Sequence, residues 1–391
     1  RLERIERRLG HDWEHGFGSN AWVVGGARSK DGRTLVAADG HLSLSTPTLF
    51  YQIGMDTQTF GGDLRHVGMV IPSLPLLAVG TNGRVAFGQT QLMGDITDWY
   101  RELLVPGSDG LPVAARFQGA DVPLLTFDET FEIASIPLLG SVGGTQTIRR
   151  YTTADGRWIT SVEGRRVSGP DAVEEGETAI NLLGDWIVPE DQDGDGYLSA
   201  ISFDYAGLDL SNMPGAIDRY TRSSDVSGFL EATRDLVAYS LNLVAGDAKG
   251  GVMYSGYQAV PCRGYLDRDP DGGWAEGADP NLLLDGTRYG GFTIPIVEGR
   301  VDTSQGGDPY RCVITLEEYP HTVDPDQGFV VSANNDPGGF TFDGSVEDDP
   351  VYIGGPWIEG YRAWRIQRDL ADLPEATVDD MKAVQADHRL R

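Results

Sequence analysis

The stretch Gly18-Ser19-Asn20-Ala21-Trp22-Val23-Val24-Gly25-Gly26 sets a hydroxyl behind a glycine and in front of a buried-looking strand. The strand reads on through a turn at Ser29 to Arg33 into Thr34-Leu35-Val36-Ala37-Ala38-Asp39, a hairpin pattern of apolar runs around a Gly-bearing loop. LLAVGTNGRVAFGQT (76–90) repeats the form around Thr81-Asn82-Gly83, and LNLVAGDAKGGVMYSGY (241–257) turns at Asp247 to Gly250. Between them, TFEIASI (130–136) and TQTIRRYTTADGRWITSVEG (145–164) read as short strands, and Val226 to Ser240 as a helix. Helical patterns lie at the two ends: a basic segment over 1–15, and YRAWRIQRDLADL (361–373), broken by Pro374 before a capping-box-like start at Thr377-x-x-Asp380. Hairpins in both halves with helices at the ends predict an α+β layered body rather than alternating βαβ units.

Composition narrows the partners. Among 391 residues, 31 Lys and Arg against 59 Asp and Glu give a net charge of −28. Such a field repels a phosphate backbone, so neither nucleic acid nor an anionic membrane surface is an expected partner. No apolar run approaches the roughly 18–20 residues of a membrane helix, and the richest, Met69 to Val79, is broken by Pro72 and Pro75. The chain begins at Arg1 without a signal-peptide pattern, so its true start is expected upstream, as part of a longer product. Cys262 and Cys312 either close one disulfide, which suits an oxidising compartment, or remain two unrelated buried thiols.

Three local patterns carry chemistry. His11-Asp12-Trp13-Glu14-His15 has the H-x-x-E-H spacing that puts two imidazoles one helical turn apart for zinc, but Gly16 and Gly18 stop any helix that would support it. Asp191, Asp193 and Asp195 alternate in a loop with Gly196 sixth, as calcium loops require, yet Ser202 stands at the twelfth position in place of a bidentate Glu. Ser19 lacks a G-x-S-x-G elbow and, taken alone, is a loop serine.

Its company changes that reading. GSNAWVVGG, LVAADGHLSLSTPTLFYQIGM (35–55), VGTNGRVAFGQTQLMGDITDWY (79–100), GFVVSANNDP (328–337), GGPWIEGYRAWRI (354–366) and DDMKAVQADHR (379–389) together resemble, in order, the penicillin acylase family of N-terminal nucleophile hydrolases. The resemblance implies a four-layer αββα core from 19–115 and 236–345, a spacer over 1–18, a β-rich insertion over 116–235 and a C-terminal helical segment over 346–391. It implies a precursor that cuts itself between Gly18 and Ser19, after which the Ser19 hydroxyl attacks an N-acyl amide and its freed amine acts as base. Asn334 and the backbone N–H of Gln91 would hold the oxyanion, His41 would orient the amine, and Arg362 would stand near Asn334. Gln91 departs from the small or amide residue more usual at its position. A structural calcium ion is implied at Asp95, the Thr97 carbonyl, Asp98 and the Pro280 carbonyl, with Asp348 or Asp349 as a looser ligand. No organic cofactor is expected. An upstream small chain of the same precursor and a periplasmic or extracellular location follow from the same likeness. Two other readings stand beside it: a catalytically silent calcium-binding module of the same fold, and a zinc peptidase using His11, Glu14 and His15.

Overall fold

The computed structural model describes residues 18–42, 46–74, 76–140, 142–304, 307–342, 349 and 351–387. His11, Glu14, His15 and Asp348 lie outside them. Two sheets position the site. Their strands are β1 (Gly18–Val24), β2 (Leu35–His41), β3 (Tyr51–Asp56), β4 (Arg65–Val70), β5 (Leu77–Thr81), β6 (Val85–Gln91), β7 (Leu241–Asp247), β8 (Val252–Ser255), β9 (His321–Val323) and β10 (Phe329–Ser332). A three-stranded antiparallel sheet runs β2-β1-β10, and a seven-stranded sheet runs β9-β8-β7-β6-β5-β4-β3.

Strand periodicity explains how the two sheets pack. Successive side chains point to opposite faces, and in β1 both faces are buried. Ala21 and Val23 join Val36, Ala38, Val244, Val252, Tyr254 and Val330 in an apolar cluster between the sheets. Trp22 and Val24 face the other way, onto Ile366, Leu370 and Met381 of two C-terminal helices. The sheets approach closely at Gly88, where a Cβ would stand 2.5 Å from that of Ala38. The far face of the seven-stranded sheet, through Phe87, Leu243, Ala245 and Met253, packs on Tyr220 and Phe229 of two further helices. Phe87 meets these two rings at centroid distances of 5.5 and 5.4 Å.

Among the described residues the four α-helices are α1 (Met213–Thr221), α2 (Val226–Ala232), α3 (Tyr361–Ala371) and α4 (Val378–Gln385). The expected capping box of α4 is present, with Thr377 and Asp380 exchanging side-chain-to-backbone bonds. The helix expected over Val226 to Ser240 is shorter: after Ala232 one 3-10 turn leads to Leu236, which is extended, and Val237 bridges to Ala259. Tertiary pairing wins there over helical spacing. The sequence reading passed over α1, whose start is signalled by Pro214 in the first turn and by the Asn212 side chain accepting from the Gly215 N–H.

An eight-stranded sheet lies outside this pair, in the order Leu125–Ile133, Gly144–Thr152, Trp158–Val162, Leu198–Tyr205, Thr97–Pro106, Pro112–Phe117, Ala120–Pro123, with Leu283–Asp285 parallel to Thr97–Pro106. The boundaries expected at 115 and 235 cut across the arrangement. Thr97–Pro106 already belongs to the outer sheet, while α1 and α2, within 116–235, pack on the seven-stranded one. The cause is the chain leaving and re-entering one sheet, which hairpin patterns alone do not reveal. Cys262 and Cys312 form a disulfide with Cα atoms 5.6 Å apart. Among the described residues no helix is long and apolar enough to cross a membrane.

Candidate active site

Ser19 is the second residue of β1 and pairs with Gly40 of β2, while Gly18 pairs with His41. The Ser19 side chain is nearly buried, and its Oγ donates to the carbonyl oxygen of Gly18 at 2.7 Å. The hydroxyl therefore rests against the carbonyl of the bond it would have to cut. A Cβ on Gly18 would lie 2.6 Å from Arg362 Nη2, so a larger residue there would have to displace that guanidinium.

Asn334 follows β10, fully buried and in the left-handed region at φ +63°, a conformation that Asn tolerates better than most residues. Its Oδ1 accepts from the Ser19 N–H at 2.6 Å and from Arg362 Nη2 at 3.0 Å, and its Nδ2 donates to the Gln91 carbonyl at 2.8 Å. Three partners of opposite demand fix which end of the amide is oxygen. One Nδ2 hydrogen is spent on Gln91, and the second is not needed there.

Arg362, the second residue of α3, donates through Nη1 to the Ser19 carbonyl and to Asn20 Oδ1, both at 2.6 Å. All its acceptors are neutral, and burial pulls its pKa below that of a free arginine, with Asp39 opposing. The site thus holds a cation beside Ser19. His41 stands one step back from Ser19: its Nε2 lies 3.1 Å from Asn20 Nδ2 and 3.1 Å from Asp39 Oδ2, and the tautomer selects which of the two it serves.

The structure therefore brings Ser19, Asn334, Gln91 and Arg362 into direct contact and links His41 to them through Asn20. Sequence reasoning missed Asn20 and Asp39, and also Asn242, Tyr254, Thr90 and Ser332, which lie behind Gln91. The available signal was the polar Asn242 inside the apolar run LNLVAG.

The carboxylates expected to bind an ion fall in two places. Asp95 and Asp98 share the guanidinium of Arg263: Asp98 Oδ1 lies 2.8 Å and Asp95 Oδ1 3.2 Å from its Nη2. Thr97 lies between them, its N–H donating to Asp95 Oδ1. Pro280 is buried beside Asn281, whose Oδ1 is 2.7 Å from the Tyr352 hydroxyl, and that hydroxyl is 3.0 Å from Asp95 Oδ2. Asp349 stands three residues before Tyr352. Burial pushes the Asp95 carboxyl above the ordinary aspartate range, Arg263 opposing and Asp98 adding to the rise. Burial also pushes nearby Asp204 up to about 7. Asp98, fully buried, and Asp95, mostly so, face one guanidinium, an oxygen set of the kind that suits a hard divalent ion. In the second place, Asp191, Asp193 and Asp195 converge with ligand atoms within 4.8 Å, all three exposed. Ser202, the twelfth position counted from Asp191, does not close that loop: it is buried in the outer sheet and donates to Glu102.

Comparison with known proteins gives a consistent result. The family model for penicillin amidase matches residues 1–391. The chain is 26% identical over 377 residues to the penicillin acylase 2 proenzyme of Pseudomonas sp. (strain SE83), covering 95% of this chain and 38% of that protein. It is 27% identical over 322 residues to the acyl-homoserine lactone acylase QuiP of Pseudomonas aeruginosa, covering 81% of this chain and 30% of that protein. Its fold matches the thermostable penicillin G acylase from Alcaligenes faecalis with a TM-score of 0.59 at 17% identity, over 93% of this chain and 51% of that one. The chain thus spans well under half the length of these curated relatives. With a matching family model over its full length and the same fold, the chain belongs to the penicillin amidase family.

Proposed function

We propose that this chain carries the nucleophile of a self-activating hydrolase of N-acyl amides. The observation that carries the reading is the Ser19 hydroxyl 2.7 Å from the Gly18 carbonyl oxygen, with the Ser19 N–H on Asn334. In the first reaction Ser19 Oγ attacks the Gly18 carbonyl carbon and its proton passes to the leaving nitrogen. The Gly18–Ser19 C–N bond breaks, an ester joins Gly18 to Oγ, and water hydrolyses it. The product is a free Ser19 amine next to a free hydroxyl.

That amine is the base of the second reaction. An α-amino group has a pKa of about 7.7–8.0, and a guanidinium bonded to the same Asn334 oxygen disfavours its charged form. Its neutral form accepts the hydroxyl proton as Oγ attacks the substrate carbonyl. The second Nδ2 hydrogen of Asn334 and the Gln91 N–H receive the oxyanion. The amine product leaves, and water releases the acid from the acyl-enzyme. His41, through Asn20, keeps Arg362 in place. The substrate class follows the relatives, a penicillin acylase and an acyl-homoserine lactone acylase, whose named substrates both contain an acyl amide.

The packing of α3 and α4, the two sheets, and α1 with α2 supports a four-layer αββα arrangement. A small chain from upstream in the same precursor and a periplasmic or extracellular location complete the proposal, the latter supported by the disulfide.

Asn334→Ala tests the oxyanion role. The variant is expected to lose roughly two to three orders of magnitude in kcat, the cost of one such donor. Near-normal turnover of an amide substrate removes Asn334 from the chemistry.

A calcium ion at Asp95, Thr97, Asp98, Pro280 and Asp349 would be structural, offsetting the charge that Arg263 leaves. Chelation is then expected to lower the unfolding midpoint, and added calcium to raise it again, contributing about 2.7 kcal/mol of stability at a hundredfold excess over Kd. A melting curve indifferent to both additions removes the ion from this corner.

A further inference from the structure

The Gln91 carbonyl sits at the end of β6, where the ladder to β7 closes with Leu241 opposite Gln91. It accepts from two side-chain amides that belong to different sheets. Asn334, just past β10 of the three-stranded sheet, donates at 2.8 Å, and Asn242, in β7 of the seven-stranded sheet, donates at 3.1 Å. The second Nδ2 hydrogen of Asn242 goes to Thr90 Oγ1 at 3.0 Å, and Thr90 shares a 2.7 Å hydrogen bond with Ser332 Oγ on β10. The Tyr254 hydroxyl, from β8, donates to Asn242 Oδ1 at 2.6 Å. Thr90, Asn242 and Ser332 are each no more than 3% exposed.

We infer that Asn242, held by Tyr254 and Thr90, is a positioning group that sets the aim of both oxyanion donors, an inference that rests on the acylase reading. The apolar cluster between the sheets is non-directional and fixes neither a sliding nor a rotational register to the tenths of an ångström that catalysis needs. Buried hydrogen bonds are directional and costly to leave unmade. The Asn242 group joins β6, β7, β8 and β10 at one point. That point is the carbonyl on which Asn334 spends its first hydrogen, so its position decides where the second one points. It also fixes Thr90 and Gln91, between which lies the N–H proposed as the other donor. None of these groups reaches Ser19, so their effect on rate passes through Asn334 and Gln91.

The test uses the full gene product and an acyl amide substrate, with kcat expressed per titrated active site. Asn242→Leu and Thr90→Val are expected to lower kcat about 10- to 50-fold with KM within about threefold. Thr90→Ser, which keeps the hydroxyl, recovers most of the loss. Tyr254→Phe leaves both amide donors in place and costs about three- to fivefold. A purely structural role lowers the melting point and the fraction of active sites while kcat per site stays unchanged in Asn242→Leu and Thr90→Val. That result overturns the inference.

A second readout needs no catalysis. In a Ser19→Ala background, Asn242→Leu and Asn334→Ala are combined in an unfolding cycle. Either single variant leaves the Gln91 carbonyl one donor, whereas the double variant orphans it. The double loss is expected to exceed the sum of the singles, and additivity overturns the shared-carbonyl arrangement. A wild-type product without amide hydrolase activity instead overturns the acylase reading and, with it, the catalytic role. The two failures are therefore distinguishable.

Discussion

Ser19→Ala is expected to yield a precursor left whole between Gly18 and Ser19, with amide hydrolysis at least about four orders of magnitude below wild type, as for removal of a serine nucleophile elsewhere. One oxygen serves both reactions, so one substitution removes both. The change is also a clean one structurally. The only hydrogen bond of Ser19 Oγ among the described contacts is to the Gly18 carbonyl. The contacts that hold the backbone, Ser19 N–H to Asn334 and Arg362 to the Ser19 carbonyl, do not use the side chain. The variant should therefore fold with its site assembled and inert. Intact mass and N-terminal sequencing read the outcome, and efficient scission at Gly18–Ser19 in the Ala protein sinks self-processing by this hydroxyl.

Much of this site was legible in the sequence because strands report themselves locally. Ala21 to Val24 alternate between two buried faces, and the hairpin to Leu35–Asp39 follows from one Gly-bearing turn. Ser19, Gln91, Asn334 and Arg362 lie between 28 and 343 residues apart, and no spacing rule joins them. They were found through several separated motifs of one family, and the structure then brought them into contact. Second-layer groups were not legible. Asn242 is a single polar letter in an apolar run, and its partners Gln91, Thr90 and Tyr254 arrive from two neighbouring strands, so its meaning depends on a register that only pairing supplies. The outer sheet was obscured for a related reason. Its strand Thr97–Pro106 continues the core chain without a break in composition, yet pairs with Leu198–Tyr205 about a hundred residues on.

The same limit hid Arg263, whose removal is expected to have the largest effect on stability. Arg263 and Asp98 are almost completely buried, with side-chain exposures of 1% and 0%. The guanidinium bonds Asp98 through Nε and Nη2, reaches Asp95 and its carbonyl, and lies over the Tyr352 ring. Arg263→Met keeps most of the volume and removes the charge, stranding two carboxylates in the interior. Breaking one side of a buried pair costs about 3–5 kcal/mol, large against the whole margin of a folded domain. The pH dependence has a definite sign. Burial already raises the Asp95 carboxyl above the ordinary aspartate range, and Arg263 is the main influence opposing that rise. Without it the folded-state pKa climbs further above the unfolded value, so the folded state binds the proton more tightly than the unfolded one. Stability tied to that proton is present below the unfolded pKa and is lost as pH rises through the folded one. The variant should therefore be weakest at neutral and alkaline pH and recover part of its deficit on acidification from the neutral range toward the ordinary aspartate pKa. Urea unfolding of wild type and Arg263→Met, both kept in chelator so that no calcium offsets the carboxylates, measures this directly at pH 5 and pH 8. An equal deficit at the two values shows that packing, and not charge, is what Arg263 contributes.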